Sequence, residues 1–433
     1  MRESANPVGR PALAARIAAA GVAALALAVP ASAVTVFGTQ AGETIRGTAR
    51  ADVVRGCEAV VGFSFQAPTT PSPISIENAR TGSPEWARFG LAPKGTIEGY
   101  TEPSTAPGET LTFHVSTDPE ADYRIVVYRM GYYNGAGARL AACLPSCEGS
   151  SHAQLQRSPS PNAEGLVHAG WPVSQRLDVP GDWVSGYYLV HFVLMSGPHE
   201  GKATTTWFIL REAPGTKRAP MLVQASPTTW QAYNGWGGGS LYEFNSPAGK
   251  RAVKIAFDRP YDQPLEQRPE ALELPLVRFL ERNGYDVAYQ ADVDTARDPG
   301  SLDGRRLIAV AGHSEYWSKE MRDGFERSRA AGTNLAFFAA NAAYWQVRFE
   351  DGFSTIVGYK SAARDPEVDP QRETDLFRAL VPPRHECALM GIQHAGGRSS
   401  GRQAATTPCP RRRPVTLGSL QQGFVRVTSS RES

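Results

Sequence analysis

The chain has 433 residues, of which 41% are hydrophobic and 20% charged, with a formal net charge of +2. That length exceeds what a single core serves, so two or three domains of an ordinary folded protein are expected. The near-neutral balance excludes a general electrostatic pull toward nucleic acid or an anionic membrane.

Arg2, Arg10 and Arg16 precede an apolar run over residues 17–29, and Pro30-Ala31-Ser32-Ala33 follows it. A basic start, a short apolar stretch and an A-x-A site predict a cleavable export signal over residues 1–33. The run is too short to cross about 30 Å of hydrocarbon comfortably, which ranks an uncleaved anchor second. The expected location is therefore secreted or extracytoplasmic, with no membrane attachment after cleavage. Residues 34–73 read as a degenerate repeat and linker. Thr44-Ile45-Arg46-Gly47-Thr48 and Ala51-Asp52-Val53-Val54-Arg55-Gly56 resemble one copy of the glycine/aspartate repeats of calcium-binding parallel β-helices. One unit has no neighbour to stack on and only Asp52 keeps a carboxylate, so calcium is not expected here.

Residues 74–214 show short strands between turn signals. Segments 111–115, 123–129, 187–195 and 204–210 carry alternating or β-branched and aromatic residues, punctuated by Pro107-Gly108, Pro180-Gly181 and Ser196-Gly197-Pro198. This spacing predicts an antiparallel β-sandwich able to fold by itself. Cys143 and Cys147 are spaced for a small loop-closing disulfide, whereas Cys57, Cys387 and Cys409 receive no role. A zinc site would need paired cysteines or nearby histidines, which the spacing lacks.

From residue 215 the rhythm changes to strands alternating with helices. Strands are expected at 221–223, 253–257, 287–289, 307–311 and 335–339. A helix is expected over 270–283, with Pro275 marking its true start, and another over 319–331. Continuous apolar strands with intervening helices imply a mainly parallel sheet covered on both faces. The fold class is thus α+β multidomain, with the α/β part over 215–393. Residues 394–433, rich in Arg, Gly, Ser, Thr and Pro, read as an irregular tail of the kind a shifted reading frame would produce.

Functional groups in open parallel sheets collect beyond the carboxyl ends of strands. Three segments hold such positions: the glycine- and aromatic-rich loop from Ser226 through Tyr233, Trp236 and Gly237-Gly238-Gly239 to Tyr242; Phe257-Asp258-Arg259-Pro260-Tyr261; and Gly312-His313-Ser314-Glu315-Tyr316-Trp317. The last puts three polar side chains at the end of a buried strand, where desolvation is costly without partners. As alternatives, His313 and Glu315 would cap the next helix, and the loop aromatics would merely pack against a neighbouring domain.

These segments, with Ile97-Glu98-Gly99-Tyr100, Tyr128-Arg129-Met130-Gly131-Tyr132-Tyr133, the run from Phe337 through Asn341 to Arg348, and Ile356-Val357-Gly358-Tyr359-Lys360, resemble the large (β) subunit of N,N-dimethylformamidase over residues 74–393. The resemblance implies a β-sandwich joined to a glutamine-amidotransferase-like α/β domain. It implies a mononuclear iron site of two tyrosines and one glutamate that hydrolyses a small amide, in company with a small subunit or as a homo-oligomer. Carried over by motif, Glu315 matches the glutamate ligand, Tyr233 and Tyr261 the tyrosine ligands with Tyr242 as rival to Tyr261, and His313, Asn341 and Lys360 the catalytic polar residues. Two phenolates and a carboxylate form a hard oxygen set suited to one Fe3+ ion.

Two other readings compete. Gly312-His313-Ser314-Glu315-Tyr316 approaches the G-x-S-x-G elbow of serine hydrolases, with Ser314 as nucleophile, although Tyr316 replaces the last glycine and no clear Asp-then-His order follows. A cysteine nucleophile is excluded from the α/β part, because no cysteine lies between Cys147 and Cys387. A non-enzymatic protein would instead bind carbohydrate or cell-wall polymer on Trp230, Trp236 and Trp345.

Overall fold

Residues 70–262, 267 and 269–391 are described in the computed structural model, with the backbone of short strands at Val36–Phe37, Thr44–Ile45, Val54–Gly56, Ala59–Gly62 and Arg426–Thr428. The expected export signal and Asp52 lie outside the described residues, as does the tail apart from its one short strand.

Period-two alternation builds the first half. In strand Ala121–Met130, Tyr123, Ile125 and Val127 face one apolar cluster, while Val126, Tyr128 and Met130 face another. This strand pairs antiparallel with Ala138–Leu144 and with Gly186–Leu194, and Lys202–Leu210 continues a mostly antiparallel seven-stranded sheet. A three-stranded sheet of Gln175–Asp178, Thr110–Thr117 and Ile97–Thr101 shares its first face, with Ile97, Phe113 and Val115 packed among Tyr188, Val190 and Phe192.

The second face is not solvated. Tyr187, Leu189, Trp207 and Ile209 join Met221, Val223, Val277, Leu280 and Tyr289 in one core. Gly186–Leu194 is therefore buried along its whole length. Such a strand reads as continuously apolar for the same reason that a central parallel strand does. The expectation that the first region covers its own core changes accordingly, since its large sheet takes its second cover from the second half.

Four strands form the parallel sheet, in the order Val287–Ala291, Met221–Ala225, Leu307–His313, Asn334–Ala340. Helix Lys319–Ala330 covers one face through Met321 and Phe325. Helix Leu274–Arg282 covers the other through Leu274, Val277 and Leu280, each full burial contributing about 1.5–3 kcal/mol. Pro275 lies in the first turn of that helix, as the sequence predicts, but the expected continuous helix breaks at Glu273, so that Pro269–Leu272 is separate and Leu272 is exposed. The chain places Val287–Ala291 on one side of Met221–Ala225 and then Leu307–His313 on the other, so the order of strand addition reverses between Met221–Ala225 and Leu307–His313 while all four stay parallel. In open α/β sheets ligands bind at such a reversal, in the crevice beyond the carboxyl ends of the strands.

One strand falls in a different sheet from the one expected. Lys254–Ala256 pairs antiparallel with Thr355–Val357, which continues through Trp345–Glu350 to Tyr316–Ser318. Its apolar run is too short to distinguish the two sheets by pattern. The disulfide Cys143–Cys147 is formed, and Cys387 is a buried free thiol.

Candidate functional site

Both strand ends at that reversal lead to one place. At the end of Leu307–His313, Gly312 has φ +75°, and a Cβ there would stand 2.5 Å from Glu273 Cγ, so both backbone and space require glycine. The next residues are held from two sides. Glu315 N donates to Thr229 Oγ1 at 3.0 Å, and Glu315 O accepts from the backbone N–H groups of Tyr344 and Trp345, each at 3.0 Å. Ser318, not His313 or Glu315, caps helix Lys319–Ala330 by accepting from Met321 N. Both are thus released from a capping role.

Beyond Met221–Ala225, helix Pro227–Ala232 delivers Tyr233 at its end, and the glycine-rich loop returns Tyr242 to the same place. The loop is shaped from inside by the fully buried Arg259. Its guanidinium donates to the carbonyls of Trp236, Gly239, Asn234 and Gln231 at 2.9–3.3 Å. Asn245 Nδ2 donates to Tyr233 O at 2.6 Å and Ser246 Oγ to Tyr242 O at 2.6 Å, pinning the two tyrosines. The second segment therefore contributes Arg259 as a template for the loop, a role that a lone arginine beside a proline did not signal.

Three oxygen groups converge. Tyr242 Oη donates to Glu315 Oε1 at 2.6 Å, Tyr233 Oη to Glu315 Oε2 at 2.8 Å, and the two phenol oxygens lie 3.0 Å apart. A phenol has one hydrogen to give and a carboxylate none, so two hydrogens serve three short contacts. Burial, followed by the neighbouring Glu315 charge, pushes both tyrosine pKa values well up. A cation between these oxygens would reverse that order and hold the phenols as phenolates. The donor set is hard, anionic and close enough to share one ion, and so fits Fe3+ better than a soft metal. Among the described residues no three His, Cys, Asp or Glu side chains are grouped as a metal site, and this set has only one such member.

Around it stand the polar residues that the motifs select. His313 Nε2 lies 3.4 Å from Glu315 Oε2 and 3.3 Å from Asn341 Nδ2, while His313 Nδ1 lies 2.9 Å from Gln267 Oε1. Lys360 Nζ sits 3.5 Å from the ring centre of Tyr242 and 5.0 Å from those of Tyr316 and Trp345. Burial pushes the Lys360 pKa down to about 7, with Glu315 opposing. Asn341 (φ 49°) and Lys360 (φ 54°) both occupy the left-handed backbone region, at a cost of order 1–3 kcal/mol each, a strain that gathers at functional sites.

Tyr261 is not brought to this cluster. Asn234 donates to Pro260 O at 2.8 Å and accepts from Asp262 N at 3.0 Å, which ties 260–262 beneath the loop. Tyr261 is buried there and lines a separate cavity of about 290 Å³ with Lys94, Glu98 and Asp262. Tyr242, its rival, takes the place beside Glu315. Thr229 and Gln267 had no signal in the sequence.

Several residues of the competing readings are buried, while Trp345 is half-buried. Ser314 is fully buried, and its Oγ accepts from Trp317 Nε1 at 2.9 Å, so it lies in the interior and not on an exposed elbow. Trp230 and Trp236 are buried too, the former donating to Glu273 Oε1 at 2.7 Å, which removes them as surfaces for a polymer.

A family model described as N,N-dimethylformamidase beta subunit-like, C-terminal, matches residues 124–414. The match takes in every residue of the cluster. No curated protein matches the chain.

Proposed function

Because the chain belongs to the N,N-dimethylformamidase beta subunit-like family, we propose that it is an exported, iron-dependent hydrolase of a small amide C–N bond. In this reading the two packed antiparallel sheets are a β-sandwich and the parallel-sheet half is glutamine-amidotransferase-like. The observation that carries it is the convergence of Tyr233, Tyr242 and Glu315 within 2.6–3.0 Å of one another. The disulfide Cys143–Cys147 supports an oxidising compartment.

Tyr233, Tyr242 and Glu315 would hold one Fe3+ ion. Bound there, the ion supplies Lewis acidity toward an amide carbonyl and lowers the pKa of nearby water. His313 Nε2 takes a proton from the attacking water as the carbon–oxygen bond forms. Lys360 and Asn341 offer positive charge and an N–H to the oxygen that gains charge in the tetrahedral intermediate. His313 then returns the proton to the departing nitrogen as the carbon–nitrogen bond breaks. The balance is one amide and one water converted to a carboxylic acid and an amine. A small subunit or self-association belongs to the same proposal as its partner.

The test is iron quantification with a visible absorption spectrum, alongside hydrolysis of N,N-dimethylformamide followed as dimethylamine release. About one iron ion per chain and a tyrosinate-to-iron band that weakens in Tyr233→Phe are expected. Iron-free protein with no spectral change in that variant would overturn the proposal.

A further inference from the structure

The turn that carries Lys360 is held through both its N–H and its carbonyl groups. Lys360 itself is left-handed, at φ 54°, a conformation that persists only where the surroundings over-determine it. The pairing of Lys254–Ala256 with Thr355–Val357 brings residues 251–253 alongside this turn, and Gly358 N donates to Val253 O at 2.8 Å. Tyr359 N donates to Thr374 Oγ1 at 2.8 Å, and Ser361 N to Thr374 O at 2.8 Å. The carbonyls go to one side chain. Arg251 Nη2 donates to Tyr359 O at 2.6 Å, and Nη1 to Gly358 O at 3.3 Å and to Ala252 O at 3.4 Å. A guanidinium only donates and a carbonyl only accepts, so the direction of these contacts is fixed. The same segment grips the loop that leads to Tyr242, because Ala252 N donates to Ser240 O at 2.8 Å.

We infer that Arg251 is a positioning residue: by gathering the carbonyls of Gly358 and Tyr359, it fixes the turn that sets Lys360 Nζ 3.5 Å from the ring centre of Tyr242. A lysine ammonium rides on a flexible four-carbon stem, so its place depends on the backbone from which the stem leaves. Here that backbone is pinned, and the amine meets three rings, Tyr242 at 3.5 Å and Tyr316 and Trp345 at 5.0 Å. Without the fork, two carbonyls lose their donor and the strained turn is released, so the amine no longer returns to one place. A lysine at 251 would carry the charge but not the planar fork that spans both carbonyls. Arg259 does the same for the glycine-rich loop, so the segments that deliver Tyr242 and Lys360 each rest on one guanidinium. Removing an outer partner of a metal site costs about 10–100-fold in activity, and a misplacement of about 1 Å costs on the order of 100-fold in rate. The consequence for catalysis rests on the proposed amide hydrolysis, whereas the placement of Lys360 does not.

The test uses the full chain, labelled with 13C-lysine and freed of metal. A ring shields nuclei above its face, so the Lys360 Cε–H signals of the wild type should lie upfield of those of the other lysines. They are identified by their loss in Lys360→Met. Arg251→Met, which keeps the stem and removes the fork, should return these signals to the range of exposed lysines. Arg251→Lys should fall between the two, and takes its place if the methionine variant does not fold. In metal-loaded protein acting on N,N-dimethylformamide, Arg251→Met should lower kcat about 10–100-fold with KM within about 2-fold and iron content unchanged, and Arg251→Lys should recover part of the loss. Unshifted Lys360 signals in the wild type, or upfield signals that stay in place in the variant that folds, overturn the inference. So does an unchanged kcat, or a loss of iron in step with activity, which would make Arg251 a support of the whole site. Wild-type protein that hydrolyses no amide would sink the proposed function instead, and the lysine signals alone would then decide whether Arg251 positions Lys360.

Discussion

Glu281 and Glu315 are both buried carboxylates that receive a tyrosine hydroxyl, yet their surroundings differ in kind. Glu281 sits between the two halves of the molecule against Arg129, and both side chains are 0% exposed. Its Oε1 accepts from Arg129 Nη2 at 2.9 Å and Tyr289 Oη at 3.0 Å, and its Oε2 from Arg129 Nη1 at 3.1 Å and Asn78 Nδ2 at 2.7 Å. The cation is built in, and the bidentate fork uses both oxygens. Glu315 receives two phenols and faces an imidazole nitrogen, with too few hydrogens for the oxygen contacts around it. One cluster is closed by the chain itself, which makes it a clasp. The other is left short of hydrogens, and in the proposed function it is the place where the ion binds.

The largest effect should come from breaking the closed cluster. Glu281→Leu strands Arg129 without its partner and is expected to cost about 3–5 kcal/mol in urea unfolding. Glu315→Gln should do the opposite in every respect. Metal-free stability should stay within about 1 kcal/mol of wild type, while iron retention collapses and kcat/KM falls at least about 100-fold. If Glu315→Gln proved as destabilising as Glu281→Leu, the distinction between clasp and site would fail.

Gly312→Ala probes how the site is held above a third carboxylate. Its Cβ would meet Glu273 Cγ at 2.5 Å on a backbone with φ +75°, so a loss of about 1–3 kcal/mol is expected by thermal and urea unfolding. Activity should drop with it, because His313 and Glu315 follow directly.

Glu273 itself sharpens the comparison through pH. Among the described residues no ion pair is found for it, and burial pushes its pKa up to about 8, against the hydrogen bonds from Tyr187 and Trp230. With the folded value raised above the unfolded one, the folded state binds the proton more tightly. Its contribution is then fully present below about pH 4.5 and is lost as pH rises through about 8. Asp292, pushed up to about 8 by burial, acts with the same sign. Stability measured from pH 5 to 8 should therefore decline, with a slope that is shallower in Glu273→Gln by up to about 1.4 kcal/mol per pH unit. An unchanged slope would mean that Glu273 is ionised in the fold, held by hydrogen bonds alone.

Strand and helix positions were legible because they rest on local periodicity. Ala121–Met130, Lys202–Leu210, Leu307–His313 and Lys319–Ala330 all lie where alternation or a helical stripe predicts them. Which sheet a short strand enters was not legible, since Lys254–Ala256 carries the same apolar pattern in either. The site divides along the same line. The segment from Gly312 to Glu315 could be singled out because a buried strand ends there, whereas the roles given to His313, Glu315 and Tyr233 came from the family resemblance. Tyr261 and Tyr242 could not be told apart, since both follow a strand-end segment within reach of the crevice.

Sequence by itself determined the elements, the two halves and the strand end that holds Glu315, because these depend on residues near one another in the chain. The tertiary structure decided that Tyr242 and not Tyr261 meets that carboxylate, since Arg259 and Asn234 fold the intervening loop. It also decided that Gln267 reaches His313, and that Arg129 closes on Glu281. Each is a contact between distant segments that only the packed sheets bring within hydrogen-bonding distance.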